Sequence, residues 1–315
     1  MLRKILLAEL GDWLERHSTR ILAVSPVIGL LWQDLAAALM PAVVPFAVLS
    51  MLLACTRIEG PTLRSRVGHP GMLAVGVAWL TLGAPLLVFG LAQFFLPLGS
   101  PLLAGMVLNA AAPALLSSIA FAFILGVDPI IALMISVLST TVAPFTIPAM
   151  LEILGVGAVG LSASNLLVRL LVVVLITFGG AYLFRRTAGR ARIRQHEGLI
   201  QGGVVLAIFT FGIGMMDGFQ ERLIHEPEKT LLFIALAFAV NAGLQLLAGL
   251  SVWLLDRRLA LVAAMLSGNR NMAMMLAVIL GVAHPDVVLF VICTQLPMFI
   301  LPLFTRPLFR KLAEN

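Results

Sequence analysis

The sequence predicts an all-α polytopic membrane protein, with ten transmembrane helices arranged as two inverted five-helix repeats. Three observations predict it. The 315 residues are 61% hydrophobic and only 11% charged, with a mean hydropathy of +1.07; a soluble domain runs near about 25% charged. Apolar windows of about 20 residues, the length that crosses a bilayer as a helix, recur along the whole chain. A short self-similarity at nearly half the chain length links the two halves. A bilayer admits only helices or a closed barrel, and apolar runs without two-residue alternation are helices.

The first eighteen residues, "MLRKILLAELGDWLERHS", place Leu2, Leu6, Leu10, Trp13 and Leu14 on one face with charges opposite. This predicts an amphipathic helix over 1–18 lying in the membrane interface; its apolar part is too short for a cleaved signal peptide. Spans 1 to 5 are expected at 20–33, 35–56, 71–96, 101–125 and 130–152, forming the first repeat (19–157). Spans 6 to 10 are expected at 162–185, 198–217, 230–255, 259–282 and 286–305, forming the second (158–315). They use up most of the chain and leave no room for a water-exposed catalytic domain. Cys55 and Cys293 stand in different spans and match no metal spacing.

Charge sets the expected orientation. Arg3, Lys4, Arg16 and Arg20 precede span 1, and Arg57, Arg64 and Arg66 follow span 2. Arg185, Arg186, Arg190, Arg192 and Arg194 follow span 6, Arg257 and Arg258 follow span 8, and Arg306, Arg310 and Lys311 follow span 10. These seventeen of the twenty-one basic residues share one side, while the opposite loops hold only Arg222 and Lys229. The positive-inside rule then puts both termini in the cytoplasm. The net charge of +6 reads as topology, and no nucleic-acid partner is expected. A plasma or bacterial inner membrane is the expected location.

Two arginines, Arg169 and Arg270, fall inside spans. No carboxylate or histidine does, so a proton relay of the Asp/Glu/His kind is not visible. The ends of spans 4 and 9 read "AFAFILGVDPII" and "MLAVILGVAHPDVV". "ILGV" begins at Ile124 and at Ile279, and at that offset Pro113 falls opposite Gly268, both helix breakers. Past a short insertion, Asp128, Ser136 and Pro144 fall opposite Asp286, Thr294 and Pro302. The matches are short enough to fit chance similarity between apolar segments as well as a repeat. Five spans per half would make the repeat inverted, and transporters of that kind place their sites at the midplane, where broken helices meet.

Span 4, "LNAAAPALLSSIAFAFILG", carries Pro113, which removes an N–H and disfavours helix at Ala112. Ser117 and Ser118 can cap a second half-helix, or bond back to their own backbone in a merely kinked one. Span 9 carries "LSGNRNMAMML". Gly268 permits unwinding, and Asn269 and Asn271 can bond freed backbone groups. Arg270 lies about eleven residues from either end of its span, too deep to snorkel fully; a charge there costs about 2.5–3.5 kcal/mol on insertion scales. It can face a polar cavity and take an oxyanion on its planar fork, or it can tie together carbonyls freed by the breaks. Arg169 can snorkel outward, or line a cavity with Asn165. Asn109, Ser136, Ser139, Thr140, Thr294 and Gln295 are expected to stand behind the two breaks.

These breaks resemble those of the bile acid:sodium symporter family, and more widely of the bile/arsenite/riboflavin transporter superfamily. The resemblance rests on ten spans as five plus five, on "APALLSSIAFAFILG" followed by "SVLSTTVAPFTIPAM", and on "SGNRNMAMMLAVILG". It implies a panel domain (spans 1, 2, 6 and 7) facing a core domain (spans 3–5 and 8–10), with spans 4 and 9 crossing in the core. It also implies uptake of organic anions, often with two sodium ions. By position, Ser118, Ser136 and Asn271 match sodium-ligating residues. Where the family has an asparagine after the serine, this chain has Ile119; where the family has an acidic residue opening the span 9 motif and a glutamine before the asparagine, this chain has Leu266 and Arg270. A guanidinium repels a neighbouring sodium ion, so Arg270 is expected to take the cation's place, making transport sodium-independent. The arsenite branch uses a span 4 cysteine, which is lacking here.

The expected function is therefore a secondary transporter of a small organic anion working by alternating access, with the bilayer as its surroundings and no cofactor. A sodium-coupled symporter is the nearest alternative. A non-transporting membrane receptor is another, which vesicle flux would separate. An intramembrane enzyme would need a reactive constellation, and neither an Asp-rich prenyl-transfer motif nor a zinc-type His-Glu-x-x-His is present.

Overall fold

A computed structural model describes residues 13–14, 17–57, 70–156 and 162–314. Most of the expected interfacial helix (1–18) lies outside the described residues. So do the stretch 58–69, with Arg64 and Arg66, and residues 157–161, at the expected junction of the repeats.

The described residues are almost entirely helical. In chain order the helices are α1 (Ser18–Leu31), α2 (Gln33–Thr56), α3 (Pro70–Ala92), α4 (Pro101–Ala111), α5 (Ser118–Leu125), α6 (Pro129–Ile153) and α7 (Ala163–Ala188). They continue with α8 (Arg190–Gln195), α9 (Glu197–Gly214), α10 (Phe219–His225), α11 (Pro227–Trp253), α12 (Arg257–Gly268), α13 (Met272–Ile279) and α14 (Pro285–Glu314). Among these residues, seven stretches are long and apolar enough to cross a membrane: α2, α3, α6, α7, the run Glu197–His225, α11 and α14. They fit an integral membrane protein. The other three expected spans are shorter for visible reasons. Span 1 is α1, of 14 residues. Span 4 is divided into α4 and α5, and span 9 into α12 and α13, with the chain leaving the helix at 112–117 and at 269–271.

Two compact units can be distinguished. One is built from the described residues of Met1–Glu59 and Val172–Leu231, the other from those of Gly60–Leu171 and Leu232–Asn315. In the first, α9 packs against α1 and α2. At the end of α2, Arg57 donates to Glu197 Oε1 at 2.8 Å and also bonds the side-chain oxygen of Gln201.

The second unit holds both divided helices. In α4 every residue from Leu102 to Ala111 is buried, and in α12 every residue from Leu259 to Gly268. Helices that are apolar and buried on all sides form the centre of a larger bundle. The neighbouring α11 instead turns a row of leucines outward, with Leu246 62% and Leu250 61% exposed. Such faces are stable against lipid, where an exposed leucine carries no penalty.

Local chemistry fixes the helix ends. Asp128 Oδ1 accepts from the backbone N–H groups of Ile130 and Ile131 (2.9 and 3.1 Å) and caps α6, whose first residue is proline. Asp256 Oδ1 accepts from Leu259 N at 2.7 Å and caps α12. Both caps satisfy N–H groups that have no partner inside the helix. The two glycines of the repeated "ILGV" lie just past α5 and α13 and share a left-handed backbone, with φ of +76° at Gly126 and +77° at Gly281. Only glycine adopts that conformation without strain, and it stops a helix cleanly.

Candidate functional site: the paired helix breaks

The two interruptions pair with each other. Residues Ala114 and Arg270 form an isolated antiparallel bridge. The N–H of Leu115 donates to Asn269 O (2.9 Å) and that of Asn271 to Pro113 O (2.7 Å). In continuous helices these N–H groups would bond Ala111 and Ser267. Pro113 prevents this in the first segment, where Ala112 is already extended (φ −59°, ψ 143°). A third freed N–H, that of Ala114, is taken by Ser139 Oγ at 3.2 Å.

Arg270 collects the carbonyls that this exchange releases. It is 2% exposed. Its Nε donates to Ser267 O (3.2 Å), and its Nη1 donates to Ala112 O (2.8 Å) and Leu80 O (3.1 Å). Each acceptor has lost its helical donor. Ser267 would have received Asn271 N–H, which is spent on Pro113. Ala112 precedes the proline and has left the helix. Leu80 lies in a π turn of α3 (Trp79–Gly83), where the N–H of Ala84 reaches back to Trp79 O and the next residue, Pro85, has none to give. Hydrogen bonds from a charged donor contribute about 1.5–3 kcal/mol each, so three of them outweigh the about 2.5–3.5 kcal/mol of placing an arginine mid-span. The carbonyl-tying arrangement is therefore the observed one.

Other side chains complete the frame. Asn241 Nδ2 donates to Gly268 O (2.7 Å) and is itself held through its Oδ1 by Gln245 Nε2 (2.7 Å). Trp79 Nε1 donates to Ser267 Oγ (2.9 Å). Gly268 is required by proximity: a Cβ there would lie 2.3 Å from Gln245 Nε2. Asn269 Nδ2 bonds Met265 O (2.8 Å), and Asn271 Oδ1 caps α13 by accepting from Met274 N (3.1 Å).

The remaining expected residues divide. Ser117 stands at the N-cap of α5 but makes no capping bond through its side chain, so the expected serine cap is absent. Ser118 instead bonds Ser136 Oγ (2.9 Å), whose own hydroxyl donates to Ala132 O (2.8 Å). Thr140 and Thr294 bond carbonyls of their own helices, Ser136 O and Val291 O, both at 2.7 Å. Asn109 is buried in α4, one turn before the break. Asn165 and Arg169 are exposed, and Arg169 Nη1 donates to Val278 O at 3.1 Å. That bond caps the C-terminal end of α13, where a cation is favoured by the helix dipole. Trp79, Leu80, Asn241 and Gln245 were not anticipated. Asn241 and Gln245 were detectable as a polar i, i+4 pair in an apolar span; the π turn left only Pro85 as a trace.

Three buried polar atoms of the junction have no hydrogen-bond partner, Asn269 Oδ1, Arg270 Nη2 and Asn271 Nδ2, and the same holds for both side-chain atoms of Gln295 on α14. Buried groups of this kind usually mark water, a ligand or a functional strain. The donor set does not fit a sodium ion. The Ser118, Ser136 and Asn271 oxygens each already make a hydrogen bond to a protein partner, and the freed carbonyls face a guanidinium, whose charge repels a sodium ion. Among the described residues no group of three His, Cys, Asp or Glu side chains is placed to hold a metal ion. The chain matches no family model, and no curated protein matches it.

Proposed function

We propose that this protein is a secondary transporter of small organic anions, with the ten-span, inverted-repeat plan of the bile acid:sodium symporter family and without sodium dependence. The single observation that carries the proposal is the position of Arg270 in the antiparallel junction of two broken helices. A fixed guanidinium there does the work of a bound cation, neutralising carbonyls that two breaks have freed. The same ends of α5 and α13, with glycines at +76° and +77°, support the repeat. The division of the chain into units drawn from Met1–Glu59 with Val172–Leu231, and from the remaining residues, supports a panel and a core. The charge bias supports cytoplasmic termini in a plasma or bacterial inner membrane.

The unspent donors, Arg270 Nη2, Asn271 Nδ2 and Gln295 Nε2, support a substrate with carboxylate or sulfonate oxygens; two oxygens, Asn269 Oδ1 and Gln295 Oε1, are equally unspent, and it is the fixed charge of Arg270 that weighs against a cation beside them. Alternating access about the junction would expose them to one side and then the other.

The test is flux. The full chain in proteoliposomes is supplied with a panel of small carboxylates and sulfonates, with sodium or with choline outside. The expected result is saturable uptake that is the same in both, and its loss in Arg270→Gln. Sodium-driven uptake by the wild type, unaffected in Arg270→Gln, overturns the reading. Binding without flux would make the protein a receptor.

A further inference from the structure

A groove of about 420 Å³ lies in the second unit between α11, α12 and α14. Its wall is almost wholly apolar, with Gly249, Leu261, Ala264, Leu301 and Phe309 among its lining. It runs from Ala242 to Trp253 along α11, about 16 Å at helical rise. Its rim is open on the side where Leu246, Leu250 and Leu308 (57% exposed) point outward, so the groove is continuous with whatever surrounds the apolar helices.

One end is basic. The Arg257 guanidinium sits 4.8 Å from the centre of the Trp253 ring, and its Nη2 donates to Leu312 O (2.9 Å). Trp253 and Leu312 both line the groove, so Arg257 packs behind its wall at this end, and it also lines a neighbouring cavity with Arg258, Asp128 and Asp256. Arg257 Nε is buried with no partner. Arg258, Arg306, Arg310 and Lys311 belong to the same ends of α12 and α14, whereas the nearby Asp256 carboxylate is engaged as a helix cap. An apolar trough that opens sideways and ends under a stacked arginine matches an amphiphile: a chain along the trough and an anionic head at the guanidinium. Basic pockets between membrane helices recognise acidic lipid headgroups in this way.

We propose that this groove is a binding site for an anionic membrane phospholipid, with one acyl chain between α11, α12 and α14 and the phosphate at Arg257. The site does not depend on the transport reading. Its lining includes Gln245, which holds Asn241 and through it the carbonyl of Gly268 at the break. The lipid therefore touches the brace of the broken helix.

Native mass spectrometry of the full chain in detergent tests the site, after delipidation and addition of dioleoyl phosphatidylglycerol, dioleoyl phosphatidylcholine or oleate. The wild type is expected to retain phosphatidylglycerol over phosphatidylcholine. Arg257→Gln is expected to lower that retention about fivefold, the equivalent of the about 1 kcal/mol one basic residue contributes at an anionic surface. Gly249→Leu, which fills the groove without touching a charge, is expected to abolish it. Equal retention of the two phospholipids by the wild type overturns the proposal, and so does oleate displacing phosphatidylglycerol at equal concentration. If either variant keeps the wild-type unfolding temperature and still retains phosphatidylglycerol as the wild type does, the site is wrong. Should one variant fail to fold, the other decides.

Discussion

Arg270 donates its Nη1 to the carbonyl oxygen of Leu80, 3.1 Å away and 190 positions earlier in the chain. The carbonyl is available because Pro85 offers no N–H and the turn before it is wide. Removing the proline from a membrane helix normally stabilises it, since an interior proline costs about 3 kcal/mol. Here Pro85→Ala is expected to do the opposite, lowering stability by about 1–2 kcal/mol, because the restored N–H competes for the bond that the guanidinium makes. Thermal unfolding of the purified chain in detergent checks the sign; a rise in unfolding temperature contradicts this role for the π turn.

Arg270 itself is expected to be among the most sensitive positions. Arg270→Met leaves the carbonyls of Ser267, Leu80 and Ala112 buried without a donor, at about 1–3 kcal/mol each. Arg270→Lys keeps the charge but not the fork that reaches three oxygens in different directions. The expected order of unfolding temperature is wild type, then Lys, then Met. Equal values for Lys and wild type would mean that charge alone suffices.

Gly268→Ala forces a Cβ to within 2.3 Å of Gln245 Nε2 and 2.5 Å of its Cδ. Overpacking of this kind costs about 1–3 kcal/mol. Shortening the neighbour with Gln245→Ala relieves the clash, so the double variant is expected to be less destabilised than the sum of the singles. A double-mutant cycle measured by thermal unfolding reads the coupling, and simple additivity would contradict it.

Two hydroxyls of similar burial are expected to differ. Ser139→Ala strands the N–H of Ala114 and is expected to cost about 1–3 kcal/mol. Thr294→Val removes a hydroxyl that bonds only its own helix at Val291 O and is expected to stay within about 1 kcal/mol of wild type. The same unfolding assay compares them; equal losses would contradict the account of Ala114.

The apolar helices and both interruptions were legible in the sequence because they rest on strong local signals: long hydrophobic runs, Pro113, and Gly268 beside Asn269. The identity of the deep charge was legible for the same reason. What Arg270 binds was not, because its acceptors are backbone oxygens, and carbonyls carry no sequence signature. Leu80 shows this most plainly, since its role depends on the width of one turn. Of the two serines expected to cap α5, Ser117 makes no capping bond through its side chain, and Ser118 is engaged by Ser136 on another helix, a partner that the local sequence does not show. Arg169 was readable only as an arginine inside a span; that it caps α13 at Val278 depends on which helix end lies beside it.

The four half-helices have a consequence for biogenesis. The longest of them, α12, holds 12 residues, about 18 Å of rise against about 30 Å of hydrocarbon. None can be released alone from an insertion machinery into lipid with its backbone satisfied. The segment around Pro113 is made long before its counterpart around Arg270, so its freed N–H and C=O groups lack these partners until the chain has grown past residue 270 of 315. Ribosome-bound chains halted short of residue 272 are therefore expected to stay protease-sensitive near residue 113, and longer ones to become resistant together.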